Sequence, residues 1–208
     1  AGAGAPMSGI VIIGAGQAGL QIAESLRRGG HTGRIAMLGD ETWLPYQRPP
    51  LSKEFLKERP AADTLYFRQQ KFWDDNHITI DLGIAAKAVD PANRRVTLAD
   101  GRELDYRVLM LATGTRARDL PLPGVNLPGV FTLRKIDDIR RLRPALDEAK
   151  TVAIVGAGRV RKEVVAVDDA PAVHRVVPLS VTFDHRAVTG GEAGRFMGAM
   201  IADLQQPD

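Results

Sequence analysis

The chain has no cysteine in its 208 residues. Disulfides, thiolate metal sites and cysteine nucleophiles are therefore excluded, and with them any oxidoreductase that works through a redox-active dithiol. No stretch reaches the ~18 consecutive apolar residues of a membrane-spanning helix, so no membrane partner is expected. The N-terminus lacks the basic segment that opens a signal peptide, and a cytoplasmic location is expected. Charge of one sign is also scarce. The formal net charge is +3, too small to argue for a nucleic-acid partner. The small excess is uneven. Residues 156–208 hold six Lys/Arg against seven Asp/Glu, a net of −1, and the first 155 hold the remaining 22 against 18, a net of +4. A basic surface on the N-terminal part suits an acidic electron-transfer partner.

What the chain does have is order around glycine. Hydrophobic residues make up 44%, enough for a packed core, and the length suits one large domain or one domain with a small companion. Residues 1–7, opening Ala1-Gly2-Ala3-Gly4-Ala5-Pro6, read as a linker or expression remnant. Gly9-Ile10-Val11-Ile12-Ile13 is a short apolar run suited to a buried parallel strand. Gly14-Ala15-Gly16-Gln17-Ala18-Gly19 follows at once. An amphipathic helix is expected over 20–28, with Ile22, Ala23 and Leu26 on one face and Gly29-Gly30 as its stop. Residues 34–38 make a second strand, closed by Asp40-Glu41. Gly14 permits the tight turn, Gly16 lets the backbone approach a pyrophosphate, and Gly19 lets helix and strand pack closely. The helix N-terminus presents free N–H groups to the anion. Asp40, 24 residues past Gly16, or its neighbour Glu41 can accept hydrogen bonds from a ribose, and Asp40 is favoured. This order points to a bound dinucleotide cradled by Gly14, Ala15, Gly16, Ala18 and Gly19.

Tyr46-Gln47-Arg48-Pro49-Pro50-Leu51-Ser52-Lys53 follows. Two prolines are expected to hold the chain extended before a helix starting at Ser52, which puts Arg48 and Lys53 in defined positions. Residues 81–89 and 94–98 read as strands joined by Asp90-Pro91-Ala92-Asn93, and Ala99-Asp100-Gly101 makes the next turn. Val108-Leu109-Met110-Leu111 is a strand ending in Ala112-Thr113-Gly114, and Phe131-Thr132-Leu133-Arg134 lies beyond it. Taken together, these runs resemble the NADH-dependent, FAD-containing ferredoxin reductases of oxygenase systems. The resemblance implies FAD as cofactor, with Arg48 and Lys53 against the flavin. The Lys53 cation would lie near the ring and stabilise negative charge on the reduced form. The resemblance also implies an Ala86 backbone contact at the adenine end, Ala112, Thr113 and Gly114 turning beside the flavin, and Arg134 reaching the cofactor. The implied activity is hydride acceptance from NADH by FAD, then single-electron delivery to a two-iron ferredoxin.

A second strand and glycine turn, ending in Gly156-Ala157-Gly158, stands where the reductases open their NADH domain. The third glycine is due at 161, where the chain has Arg161. A bulky side chain there props a helix off its strand, and Val164-Val165-Ala166-Val167 favours strand instead. Asp168-Asp169-Ala170-Pro171 reads as a turn. NADH is therefore expected to be a poor reductant. Glu163 matches, by resemblance, a glutamate that pairs with the flavin-side lysine. Residues His174 to Asp208, above all the run from Pro178 to Gly191, resemble the C-terminal end of the catalytic domain of dihydrolipoyl acyltransferases of 2-oxoacid dehydrogenase complexes. A strand would deliver Asp184-His185-Arg186 to a turn, followed by a helix over 192–204 with Ala193, Phe196, Met200 and Leu204 on one side. That resemblance implies His185 as the general base, with coenzyme A or a lipoyl domain as partner. Thr189 stands where many members have aspartate.

The expected fold class is α/β. A Rossmann-like FAD-binding domain with a parallel sheet and an antiparallel β-hairpin insertion occupies 8–115. The start of a truncated NADH-domain-like segment spans 116–158, and an acyltransferase-like strand–turn–helix tail spans 159–208. The favoured function is a truncated and fused flavin oxidoreductase. The alternatives are a dihydrolipoyl acyltransferase and a chimeric chain without catalytic activity.

Overall fold

The computed structural model describes residues 9–117, 124–150, 152–157, 161–167, 170–176, 178–183 and 190–204. These divide into two units, one of residues 9–117 and 132–139, the other of residues 124–131 and 140–204. The first unit is built on β1 (Gly9–Ile13), β2 (Ile35–Gly39), β3 (Ile78–Leu82), β4 (Ala86–Asp90), β5 (Arg95–Leu98) and β6 (Glu103–Leu111). They form one sheet in the order β3-β2-β1-β6-β5-β4. β1 pairs in parallel with β2 and β6, and β2 with β3, whereas β4-β5 and β5-β6 are antiparallel. A parallel sheet with an antiparallel hairpin inserted before its fourth strand is the expected α/β architecture.

The apolar runs of β1 and β2 are continuous because both faces of these strands are covered. Ile10, Ile12, Ile35 and Met37 point to one face, where they meet Leu20 and Ala23 of α1 (Gln17–Arg28) and Trp73 of α3 (Gln70–Asp75). Val11, Ile13, Ala36 and Leu38 point to the other, against Val96, Leu98 and Tyr106. The hairpin therefore serves as the second cover of the parallel strands. Trp73 is fully buried and meets Phe72 edge to face, with ring centroids 5.3 Å apart. Trp73→Ala is expected to lower stability by about 3–5 kcal/mol, the usual range for emptying a large aromatic site. Urea unfolding followed by far-UV circular dichroism measures it, and an unchanged midpoint would show that this packing carries little.

Three local expectations need correction. Residues 81–89 do not form one strand. β3 ends at Leu82, Gly83 turns with φ +74, and β4 begins at Ala86. Pro49 and Pro50 do not hold the chain extended but open a 3-10 turn over Pro49–Ser52. The helix due at Ser52 begins at Glu54, with Lys53 as the capping residue of α2 (Glu54–Glu58). Arg27 was not singled out in the sequence, yet it ties α1 to two loops. Its guanidinium donates to the carbonyls of His31, Gly33, Asn76 and His77 at 2.6–2.9 Å.

The helix α4 (Ile136–Glu148) starts in the first unit with Ile136 and Ile139 fully buried. In the second unit β7 (Ala153–Ala157) pairs antiparallel with β10 (Leu179–Phe183). β8 (Arg161–Val167) pairs antiparallel with β9 (Ala170–Val176) over seven residues. Gly156 and Ala157, expected in the second glycine turn, belong to β7, and the strand favoured by the β-branched run follows as β8. Ala170 and Pro171, expected in a turn, belong to β9. The tail helix α5 (Gly190–Leu204) buries Ala193 and Met200, but Phe196 is exposed rather than on the covered side. Among the described residues, no helix is long and apolar enough to cross a membrane.

Candidate functional site

The first glycine turn links the end of β1 to the start of α1. Gly14 adopts φ +118, a conformation L side chains rarely take, and a Cβ there would run into the carbonyl of Ala112. Its N–H donates to the Leu38 carbonyl at 2.8 Å, while Ala112 N–H donates to the Ile13 carbonyl at 2.7 Å. The turn is thus stitched to β2 on one side and to the chain leaving β6 on the other. A Cβ on Gly19 would strike the Gly14 carbonyl, so Gly19 is what lets α1 lie against the turn. Gly39, unremarked in the sequence, serves the same end, since its Cβ would lie 2.6 Å from that of Ala15. Gly16 is different. It caps α1 in an extended conformation, no side chain caps the helix, and a Cβ there would meet nothing within 4 Å. Space is left beside the unsatisfied N–H groups of a twelve-residue helix, where the backbone dipoles favour an anion. The protein's own packing accounts for Gly14 and Gly19. It gives no reason for Gly16.

After Leu111 the chain turns at Gly114, which has φ +67. A Cβ there would lie 4.0 Å from the Arg134 guanidinium. Arg134 also ties this side of the site to the Arg48 loop, because its carbonyl accepts from Arg48 Nη1 at 3.0 Å. Arg48 Nη2 donates to Glu41 Oε1 at 2.6 Å, and Nη1 reaches the Tyr46 hydroxyl at 3.1 Å. The Tyr46 hydroxyl donates to Glu41 Oε2 at 2.6 Å and accepts from the Ile136 N–H at 3.3 Å. Glu41 is one-tenth exposed. Asp40 is largely exposed and pairs with Lys135 Nζ at 2.9 Å. The two adjacent acids thus face different surroundings, one inside a network and one at the surface.

The Tyr46 phenol is held far above the ordinary tyrosine range, first by burial, then by its bond to Glu41 and that carboxylate's charge. A proton bound more tightly in the folded state contributes stability in full below the unfolded pKa of about 10. That contribution is lost as pH climbs from there toward the raised value. Urea unfolding at about pH 9 and about pH 11 is expected to show a larger alkaline loss in the parent than in Tyr46→Phe. Equal losses would show that the phenol is not held this way.

The family model for pyridine nucleotide-disulphide oxidoreductases matches residues 8–175. The chain belongs to this family. It is 43% identical to rhodocoxin reductase of Rhodococcus erythropolis over 157 residues, which cover 76% of this chain and 37% of that one. It is 42% identical to a ferredoxin–NAD(P)+ reductase of Sphingomonas sp over 158 residues, covering 76% and 38%. Among solved structures, a ferredoxin reductase from Rhodopseudomonas palustris superposes with TM-score 0.64 at 42% identity, covering 68% of this chain and 35% of that one. Putidaredoxin reductase in its covalent complex with putidaredoxin gives TM-score 0.61 at 36% identity, covering 68% and 35%. The chain spans less than two fifths of the length of these relatives.

In this family member the residues expected at the site fall into two groups. Gly14, Ala15, Gly19 and Ala112 meet around the first turn, and Gly114, Arg134 and Arg48 are joined through the contacts above, while Asp40 stands at the surface beside Lys135. Ala18 is exposed on the first turn of α1, Ala86 is half-buried at the start of β4, and Lys53 is exposed at the cap of α2. Glu163 lies in β8 and pairs with Arg161. His185 lies outside the described residues. The sequence offered Glu41 only as an alternative to Asp40 and gave Tyr46 no role, yet the two side chains are bonded to each other and to Arg48. Their only signal was five-residue spacing between an acid at a strand end and a tyrosine beside the proline pair.

Proposed function

We propose that the first unit is the FAD-binding portion of a ferredoxin-reductase-type flavoprotein, which carries electrons from NADH through FAD to a two-iron ferredoxin. The observation that carries this reading is the open space at Gly16 above the uncapped start of α1, which the protein's own packing does not explain. The residues fit the group. The turn of Gly14, Ala15, Gly16, Ala18 and Gly19 would hold the pyrophosphate on backbone N–H groups. Asp40 would accept from the ribose hydroxyls, exchanging its exposed pair with Lys135 for them, an exchange of small energy because surface ion pairs are weak. Ala86 would contact the adenine end, while Ala112, Thr113 and Gly114 leave room beside the flavin. Arg48, Arg134 and Lys53 would supply positive charge there, and Lys53 would face negative charge on the ring. Bound FAD supplies the redox chemistry itself. The excess of basic residues in the N-terminal part supports an acidic ferredoxin as partner.

Titration of the chain with FAD, followed by quenching of flavin fluorescence, tests the reading. Saturable one-to-one binding is expected, and a titration with no saturation would overturn it. The likeness of residues 159–208 to an acyltransferase end is also our reading, supported by the run from Pro178 to Gly191 alone. His185 would be its base, but most of the walls that hold coenzyme A and lipoamide in that family have no counterpart here. An acetyl-coenzyme A and dihydrolipoamide assay is expected to show no turnover, and turnover lost in His185→Ala would reverse that.

A further inference from the structure

We propose that Glu41 is a positioning residue for Arg48, presenting the guanidinium to the cofactor without itself touching it. The inference rests on the FAD reading above. Each Glu41 oxygen takes one short bond, Oε1 from Arg48 Nη2 and Oε2 from the Tyr46 hydroxyl, both at 2.6 Å. The side chain is one-tenth exposed, so both lone-pair sites in use face protein rather than water. Arg48 is also held from above and behind. Its carbon Cζ lies 5.0 Å from the centre of the Tyr46 ring, and its Nη1 reaches the Tyr46 hydroxyl and the Arg134 carbonyl. A guanidinium has five N–H donors in one plane. Three are occupied here, two on Nη1 and one on Nη2, which leaves Nε–H and the second Nη2 hydrogen. Two donors on one rigid fork suit a pair of acceptor oxygens or a carbonyl beside a ring nitrogen.

The electrostatics agree with this division of labour. A free carboxylate near an anionic cofactor would repel it. Glu41 is neutralised by Arg48 and saturated by Tyr46, so its charge serves to orient rather than to meet the ligand. Asp40, one residue earlier and largely exposed, has the access that a direct ligand contact needs. The chain leaves β2 at Gly39, and of the two acids that follow, one reaches the surface and the next enters the network. Sequence reasoning could not separate the two. Burial and partners do.

A double-mutant cycle tests the proposal, with FAD dissociation constants from fluorescence as the readout and no turnover required. Glu41→Gln keeps the shape but loses the charge and one acceptor. It is expected to weaken FAD binding roughly 10–100-fold, the range met when the partner that orients a ligand-binding side chain is removed. Arg48→Ala should weaken binding at least as much. The double variant should bind no more weakly than Arg48→Ala alone, because Glu41 acts only through Arg48. Effects that multiply, or a Glu41→Gln protein that binds like the parent, would overturn the proposal while leaving the FAD reading intact. An Arg48→Ala protein that binds like the parent would overturn both the proposal and the role of Arg48 in that reading. Should Glu41→Gln not fold, as judged by circular dichroism, Glu41→Asp carries the same cycle, since its shorter reach breaks the joint hold on Arg48 and Tyr46 while keeping the charge.

Discussion

Gly16→Val is expected to leave the first unit folded and to abolish its flavin binding. The three glycines of the turn differ in what a side chain would meet. At Gly14 the backbone has φ +118 and a Cβ would collide with the Ala112 carbonyl. At Gly19 the collision is with the Gly14 carbonyl. Both are backbone atoms held by hydrogen bonds, so neither can give way cheaply. Strained backbone costs about 1–3 kcal/mol and overpacking about as much again. Gly14→Ala and Gly19→Ala should therefore destabilise the fold itself by a few kcal/mol. Gly16 already has an extended backbone open to any residue, and a Cβ there enters empty space. Valine adds two methyl groups to the space from which an anion would reach the N–H groups of α1. The prediction separates folding from binding: an unchanged urea midpoint with FAD affinity reduced beyond detection. Equal flavin retention in the Gly16→Val and parent proteins would remove the turn from the site. A loss of both stability and binding would show that Gly16 is needed for packing.

The legibility of this site in the sequence follows from which residues act through the backbone. Gly14, Gly16 and Gly19 were readable because strand, turn and helix must meet in a fixed order, and at Gly14 and Gly19 only glycine fits the angle or the close approach. The parallel strands were readable because burial on both faces writes continuous apolar runs such as residues 9–13. The hairpin's place as the second cover was not, because it depends on which distant strand β6 joins. β6 pairs with β5 at residues 103–105 and with β1 from Tyr106 onward, and nothing in its own nine residues announces that division. The proline pair misled in a similar way. Pro49 and Pro50 fit an extended run and a 3-10 turn equally well by φ alone. The turn prevails, with the Leu51 and Lys53 N–H groups bonded to the Arg48 and Pro50 carbonyls. Glu41 was ambiguous for a different reason. Its partners Arg48 and Tyr46 are near in sequence, but the bond that locks them, from Arg48 to the Arg134 carbonyl, spans 86 residues.

NADH is expected to reduce FAD bound to this chain only very slowly, and the second glycine turn is the reason. In a dinucleotide-binding unit the glycine turn must deliver a helix whose N-terminus meets the phosphates. After Gly156-Ala157-Gly158 this chain delivers β8 instead, which begins at Arg161 and stays extended to Val167. β8 spends its hydrogen bonds on β9, and β7 pairs antiparallel with β10 rather than joining a parallel sheet. Arg161 is paired with Glu163. Among the described residues after Ala157, no helix start presents converging N–H groups to a pyrophosphate before β8 begins. Orientation is worth more than attraction for hydride transfer. A donor held in line acts as though present at about 10⁵–10⁸ M, a contribution of roughly 7–11 kcal/mol to the barrier. Free NADH at micromolar concentration forfeits nearly all of that, so reduction should be at least about 10⁵-fold slower than from a held donor. Anaerobic mixing followed by visible absorbance decides the matter. Dithionite, which needs no binding site, should bleach the flavin at once, whereas micromolar NADH should leave it oxidised over minutes. Rapid bleaching by NADH would show that a nucleotide is held by elements other than a helix after this turn.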